Sequence, residues 1–247
     1  MVGHGPLKAG ILVRIQVPQH YMEKIIYPIR INKYLRDKGL ASRRESDKLV
    51  EAGLVLVNGK RAENGTMING KDNVVVKTPK GTLAKEYVYL AYYKPRDLPT
   101  QDLPGKRSVI TDWKPKGIYP VGRLDKSSEG LLLLTNDGRF ARKVLSDSSK
   151  YEKEYLVAVK EPLRPAVVRV FQSGMETKAL GKLLPAKARI INEGRLQVVL
   201  NEGKRHQIRV MLDEMGYTIN SLKRMRIGEV KLGDLKPGET RKVSVKI

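Results

Sequence analysis

Residues 119–138 read YPVGRLDKSSEGLLLLTNDG, and the fold is decided by what surrounds this stretch. Taken alone, Gly122-Arg123-Leu124-Asp125 fits a tight turn with a surface salt bridge as well as it fits a catalytic carboxylate, because strings of four residues recur by chance. Working outward, Gly138 to Leu145 reads as a helix. Strands are expected at Tyr87 to Tyr93, Tyr155 to Val159, Ala188 to Ile191 and Leu196 to Leu200. A further helix is expected from His206 to Met215, where Ile208, Met211, Leu212 and Met215 follow the i, i+3, i+4, i+7 rule. Strands and helices alternate irregularly, without a βαβ repeat, so residues 87–247 read as an α+β domain.

The upstream half has a different pattern. Ile31, Tyr34 and Leu35 sit at helical spacing and Gly39 supplies a stop. Ser42-Arg43-Arg44-Glu45 reads as a capping box opening a second helix that ends at Gly53. Leu54 to Val57 is an apolar strand entering Asn58-Gly59, the pair that a type I′ hairpin turn favours, and Val74 to Val76 is a second strand. The polar stretch 78–86, TPKGTLAKE, reads as a linker. Residues 1–28 show no period and receive no assignment, and Met22 is an alternative start.

Charge narrows the function classes. The chain of 247 residues carries 48 Lys+Arg against 26 Asp+Glu, a formal net charge of +22. An excess of this size favours a polyanionic partner, since neutralised phosphates release counterions. No apolar run approaches the roughly 18 residues of a spanning helix, and no cationic amphipathic helix with an aromatic face is visible, so no membrane role is expected. With no cysteine and three histidines (His4, His20 and His206), zinc ribbons, iron–sulfur clusters, thiol nucleophiles and disulfide frameworks drop out together. Nothing resembles a cleaved signal peptide, and a cytoplasmic protein is expected.

The segment IRINKYLRDKGLASRRESDKLVEAGLVLVNGKRA, with residues 30–80 holding 12 Lys+Arg against 6 Asp+Glu, resembles the S4 RNA-binding domain. That resemblance implies an RNA grip over residues 29–77, with Lys33, Arg36, Arg43, Arg44 and Lys48 reaching phosphates. Aromatic residues are scarce there, so backbone and shape recognition is expected over base stacking.

With an S4-like module in front of it, the extended string Gly122 to Gly138 resembles the active-site signature of the RsuA group of pseudouridine synthases. The stretches Tyr151 to Val157 and Leu222 to Ile227 resemble the RluF-like branch of that group, which acts on 23S rRNA. The resemblance implies a catalytic domain built on a mixed, mainly antiparallel sheet flanked by helices. It also implies site-specific conversion of uridine to pseudouridine in rRNA, naked or in an assembly intermediate, with a tRNA as a further candidate. No cofactor and no metal are implied, and a monomer suffices.

The same resemblance assigns residues. Asp125 is the catalytic carboxylate. Arg209, in the family's G-x-x-x-Q-I-R pattern at Gly203 to Arg209, pairs with it, although Asp213 at i+4 is an alternative partner. Tyr155, in a K-x-Y element, stacks on the target uracil, and Leu222 packs on its other face. Arg123 fills the space left by the flipped base or holds a phosphate. Lys204, Arg205 and Ile208 complete the substrate contacts within a basic rim, residues 203–231 having 7 Lys+Arg against 3 Asp+Glu. The alternative is an S4-domain RNA-binding or ribosome-assembly protein without turnover.

Overall fold

The structure is a computed structural model that describes residues 25–38, 40–41, 43–77, 87–146 and 151–245, with the side chains of Arg43 and Arg44 left out. The expected linker 78–86, the stop at Gly39, the cap at Ser42 and nearly all of residues 1–28 lie outside the described residues. The chain divides into two compact units, residues 1–86 and 87–247.

The first unit contains β1 (Ile29–Arg30), α1 (Ile31–Asp37), α2 (Arg43–Glu51), β2 (Val55–Val57), β3 (Lys60–Arg61), β4 (Met67–Ile68) and β5 (Val74–Val76). Ile31 and Leu35 of α1 are buried with Val50 of α2, Val55 of β2 and Ile68 of β4 in one small core. The helices are also joined by Asn32, whose amide donates to the Asp47 carboxylate. Antiparallel β2 and β3 are joined through Asn58 and Gly59, both at positive φ (50° and 82°), the conformation a two-residue hairpin loop requires. β5 pairs with the other edge of β2.

The second unit is organised around a nine-stranded sheet. Its strands in chain order are β6 (Tyr89–Lys94), β7 (Tyr119–Val121), β8 (Glu129–Thr135), β9 (Lys153–Val159), β12 (Lys187–Asn192), β13 (Arg195–Leu200), β14 (Ile219–Ile227), β15 (Val230–Lys231) and β16 (Thr240–Lys242). A separate hairpin is formed by β10 (Glu176–Thr177) and β11 (Gly181–Lys182), and the helices are α3 (Val109–Trp113), α4 (Gly138–Leu145), α5 (Ala166–Ser173) and α6 (Gln207–Glu214). The main path runs β12-β13-β9-β14-β8-β6-β16, with β7 beside β8 and β15 beside β14. All pairs are antiparallel except β14 with β8, so the sheet is mixed and mainly antiparallel.

The run Leu131-Leu132-Leu133-Leu134 belongs to β8, and its continuous apolarity follows from burial on both faces. Leu131 and Leu133 join Ala91, Tyr93, Phe140 and Val144, while Leu132 and Leu134 join Leu90, Tyr92, Val109 and Ile118. α4 starts where Asp137 caps it by accepting from the Arg139 backbone N–H at 3.0 Å. The parallel joint pairs Lys223 with Glu129 and Arg224 with Gly130. Only glycine fits that joint, since a Cβ on Gly130 would stand 2.4 Å from the Arg224 carbonyl oxygen, and its φ is +103°.

Candidate active site

Asp125 lies in the loop between β7 and β8, just past a turn at Gly122 whose φ is +76°. Facing the loop is the first turn of α6, with its apolar side (Ile208, Met211, Leu212) buried in the same cluster as Leu124, Tyr155 and Leu222. This packing sets two nitrogen-bearing side chains against the carboxylate. Arg209 Nε stands 3.7 Å from Asp125 Oδ2, and His206 Nε2 stands 3.6 Å from Oδ1. Neither reaches ordinary hydrogen-bond length, so both oxygens keep lone pairs free for an incoming group. His206 has left-handed backbone (φ 58°, ψ 18°), the conformation that turns the chain into α6.

A cavity of about 240 Å³ opens over this carboxylate, lined by Arg123, Leu124, Asp125, Tyr155, Leu200, residues 203–208 and Leu222. Tyr155 and Leu222 are buried neighbours on adjacent strands β9 and β14, and both face the cavity. Arg123 and Arg205 are exposed at its rim, and Ile208 lies on its wall. Lys204 also borders the cavity, but its ammonium donates to the carbonyls of Leu180 (3.0 Å) and Lys182 (2.7 Å), so it ties down the β10–β11 hairpin. The Asp125 side chain is 26% exposed, because the cavity above it is open.

Arg209 pairs with Asp125 and not with Asp213 among the described residues. Burial lowers the Arg209 pKa and nearby Arg96 adds to that, while Asp125 opposes both by favouring the charged guanidinium. Arg209 is further fixed by donating from Nη2 to Ser128 Oγ at 2.9 Å. Ser128 is fully buried, and nothing in the sequence around it marks it as a support of the site.

Several other supporting residues were also not foreseen. Lys94 ends β6 with no exposed surface and donates to the carbonyls of Pro95 and Leu98, each at 2.7 Å, with a longer contact of 3.5 Å to Lys126. Burial pulls its pKa down to about 8, opposed by Asp125 and Asp97. The available signal was a lysine closing an otherwise apolar strand. Gln207 is buried, bonding Glu202 (2.7 Å) and the Lys204 backbone (3.2 Å), and so shapes the loop that carries His206. Arg224 is buried beneath the loop, donating from Nε to the Leu131 carbonyl at 2.7 Å and from Nη1 to the Arg123 carbonyl at 3.4 Å.

In the first unit, Lys33 and Lys48 are exposed, on α1 and α2 respectively. Arg36 is half-buried and bonded to Asp37 at 3.0 Å. Arg43 and Arg44 open α2, and their side chains lie outside the described residues.

Comparison with known proteins supplies the family of the chain. The family described as RNA pseudouridylate synthase matches residues 88–214, and the S4 domain matches residues 29–74. The chain belongs to the RNA pseudouridine synthase family. It is 36% identical over 222 residues to the dual-specificity RNA pseudouridine synthase RluF of Escherichia coli K12, covering 86% of this chain and 74% of that one. It is 35% identical over 227 residues to the ribosomal large subunit pseudouridine synthase B of Bacillus subtilis 168, covering 87% and 92%. A solved structure described as pseudouridylate synthase matches the fold with a TM-score of 0.64 at 24% identity, over 87% of this chain and 96% of its own. This pseudouridine synthase is therefore an enzyme of RsuA type with an S4 domain, and RNA is its substrate. The alternative of an RNA-binding protein without turnover is set aside. No helix among the described residues is long and apolar enough to cross a membrane.

Proposed function

We propose that this enzyme isomerises a uridine of large-subunit (23S) ribosomal RNA, with Asp125 as its catalytic carboxylate. The N1–C1′ bond breaks, the uracil turns, and a C5–C1′ bond forms. The hydrogen on C5 leaves as a proton and N1 gains one, so atoms balance and the reading calls for no cofactor and no metal. A carboxylate suits both available routes, covalent attack and proton removal. What carries the reading is one cavity that joins Asp125, Tyr155 and Leu222, with Arg209 Nε 3.7 Å from the carboxylate. Tyr155 and Leu222 take the two faces of the flipped uracil, and Arg123 at the rim holds the vacated position or the adjacent phosphate. Arg205 and the wall at Ile208 complete the substrate contact.

The large-subunit assignment is supported by the Bacillus subtilis relative. The dual specificity named for the RluF relatives gives reason to test a tRNA beside it. Lys33, Arg36, Arg43, Arg44 and Lys48 act as the phosphate grip of the S4 domain. Action as a monomer belongs to the same reading, and an rRNA substrate supports a cytoplasmic site. The test is release of tritium from 23S rRNA transcribed with C5-tritiated uridine. Wild-type protein is expected to release label from one site and Asp125→Asn none; release by Asp125→Asn at the wild-type rate would remove Asp125 from the chemistry.

A further inference from the structure

The loop that carries Asp125 is held by its carbonyl oxygens, one after another. The Arg123 carbonyl accepts from Arg224 and the Asp125 carbonyl from the Ser128 N–H at 3.0 Å. The Lys126 carbonyl accepts from the Asp97 N–H at 2.8 Å. The strongest tie lies between these, at Leu124. Thr100 Oγ1 donates to the Leu124 carbonyl at 2.6 Å and accepts from the Leu124 N–H at 3.1 Å. One hydroxyl thus takes both backbone groups of the residue preceding Asp125. Thr100 is 4% exposed and Leu124 6%, so bulk solvent has little access to either bond.

The hydroxyl itself is mounted on a braced arm. Lys94 gathers the Pro95 and Leu98 carbonyls from inside the turn, and the Pro99 carbonyl accepts from the Val109 N–H at 2.9 Å at the start of α3. That helix has its own capping box between Ser108 and Thr111. Asp97 adopts positive φ (66°), which aims its N–H at Lys126. A rigid arm therefore meets a loop that has few apolar anchors of its own beyond Leu124.

We infer that Thr100 is a positioning residue for catalysis: its hydroxyl fixes the Leu124 peptide groups and through them the direction of the Asp125 carboxylate. It touches neither substrate nor reacting atoms. The inference deepens the reading of Asp125 as the catalytic carboxylate and rests on it. A loop freed at Leu124 lets the carboxylate wander by the ångström that costs about a hundred-fold in rate.

The test uses the full chain with Thr100→Val, which keeps the shape and removes both bonds, and Thr100→Ser, which keeps the hydroxyl. Thr100→Ala takes the place of Thr100→Val if the latter does not fold. Leu232→Ala, in a core cluster away from the cavity, serves as a variant destabilised for reasons unrelated to the loop. Tritium release from C5-labelled 23S rRNA should show kcat lowered about 10- to 100-fold in Thr100→Val with KM within twofold. Thr100→Ser should stay within about threefold of wild type, and Leu232→Ala should lose melting temperature but not kcat at a temperature where it is folded. Hydrogen exchange over residues 121–128 should quicken at least tenfold in Thr100→Val and not in Thr100→Ser. A wild-type kcat in Thr100→Val, or exchange unchanged from wild type, overturns the inference. If wild-type protein releases no tritium, the catalytic reading fails, and exchange alone then decides whether Thr100 holds the loop.

Discussion

The two units use their charges in opposite ways. In the S4 unit Lys33 and Lys48 are exposed around a small apolar core. In the catalytic unit several charges are drawn inward: Lys94 and Arg224 are buried, and Arg209 and Asp125 each have about a quarter of their side chains exposed. Arg123 and Arg205 stay exposed at the cavity rim. Exposed charges act through a summed field that salt screens, so each one contributes a little and none is decisive. Buried charges act through particular partners at fixed distances, so each loss is specific and large. On the proposed reading, recognition is spread over a surface while chemistry is concentrated in a few bonds.

Five substitutions would sharpen or break that contrast. Asp125→Asn should lower turnover by about 10⁴-fold while RNA affinity changes by less than twofold, measured by tritium release and filter binding. A matched fall in affinity would mean that Asp125 serves binding, as the S4 lysines do. Arg209→Ala should reduce kcat and cost about 2 kcal/mol in urea unfolding, less than a fully buried pair because the contact is partly open and 3.7 Å long. Unchanged stability would place Arg209 among the surface charges.

Asp137 offers a comparison by pH. Its burial favours the neutral acid, but the Arg139 and Tyr89 hydrogen bonds outweigh that and hold its carboxyl below the usual range. A lowered folded-state pKa means that the stabilisation is fully present above about pH 4 and is lost as pH falls through the folded value. Asp137→Asn should therefore lower the melting temperature at pH 7 and flatten its decline between about pH 5 and 3; an unchanged slope would mean that another carboxylate controls acid unfolding. The smallest effect belongs to Lys33→Ala and Lys48→Ala. Each should weaken RNA binding less than tenfold and make the plot of log affinity against log salt shallower by about 0.9. A loss confined to one RNA sequence would show that the S4 unit reads bases.

Sequence legibility follows the same division. Local patterns were readable: α4 runs from Gly138 to Leu145 as its spacing predicts, Val74–Val76 is a strand, and Asn58-Gly59 makes the expected hairpin. The α6 pattern places Ile208, Met211 and Leu212 inside, which carries Arg209 to Asp125. Long-range supports were not readable. Thr100 binds backbone atoms 24 residues away and Arg224 binds a carbonyl 101 residues away, and backbone groups leave no mark in a sequence. Nothing local distinguishes Ser128 from Ser127. Lys204 reads in the sequence as a substrate contact in a basic rim, and nothing local reveals that its ammonium also donates to two carbonyls of a hairpin.

The central claim is that Asp125 performs uridine isomerisation in large-subunit rRNA, and pseudouridine mapping of total RNA tests it most directly. Cells with wild-type protein, without the protein, and with Asp125→Asn are compared. One 23S site modified only in the first strain would bear out enzyme, target and carboxylate together. The same map in all three strains would contradict it.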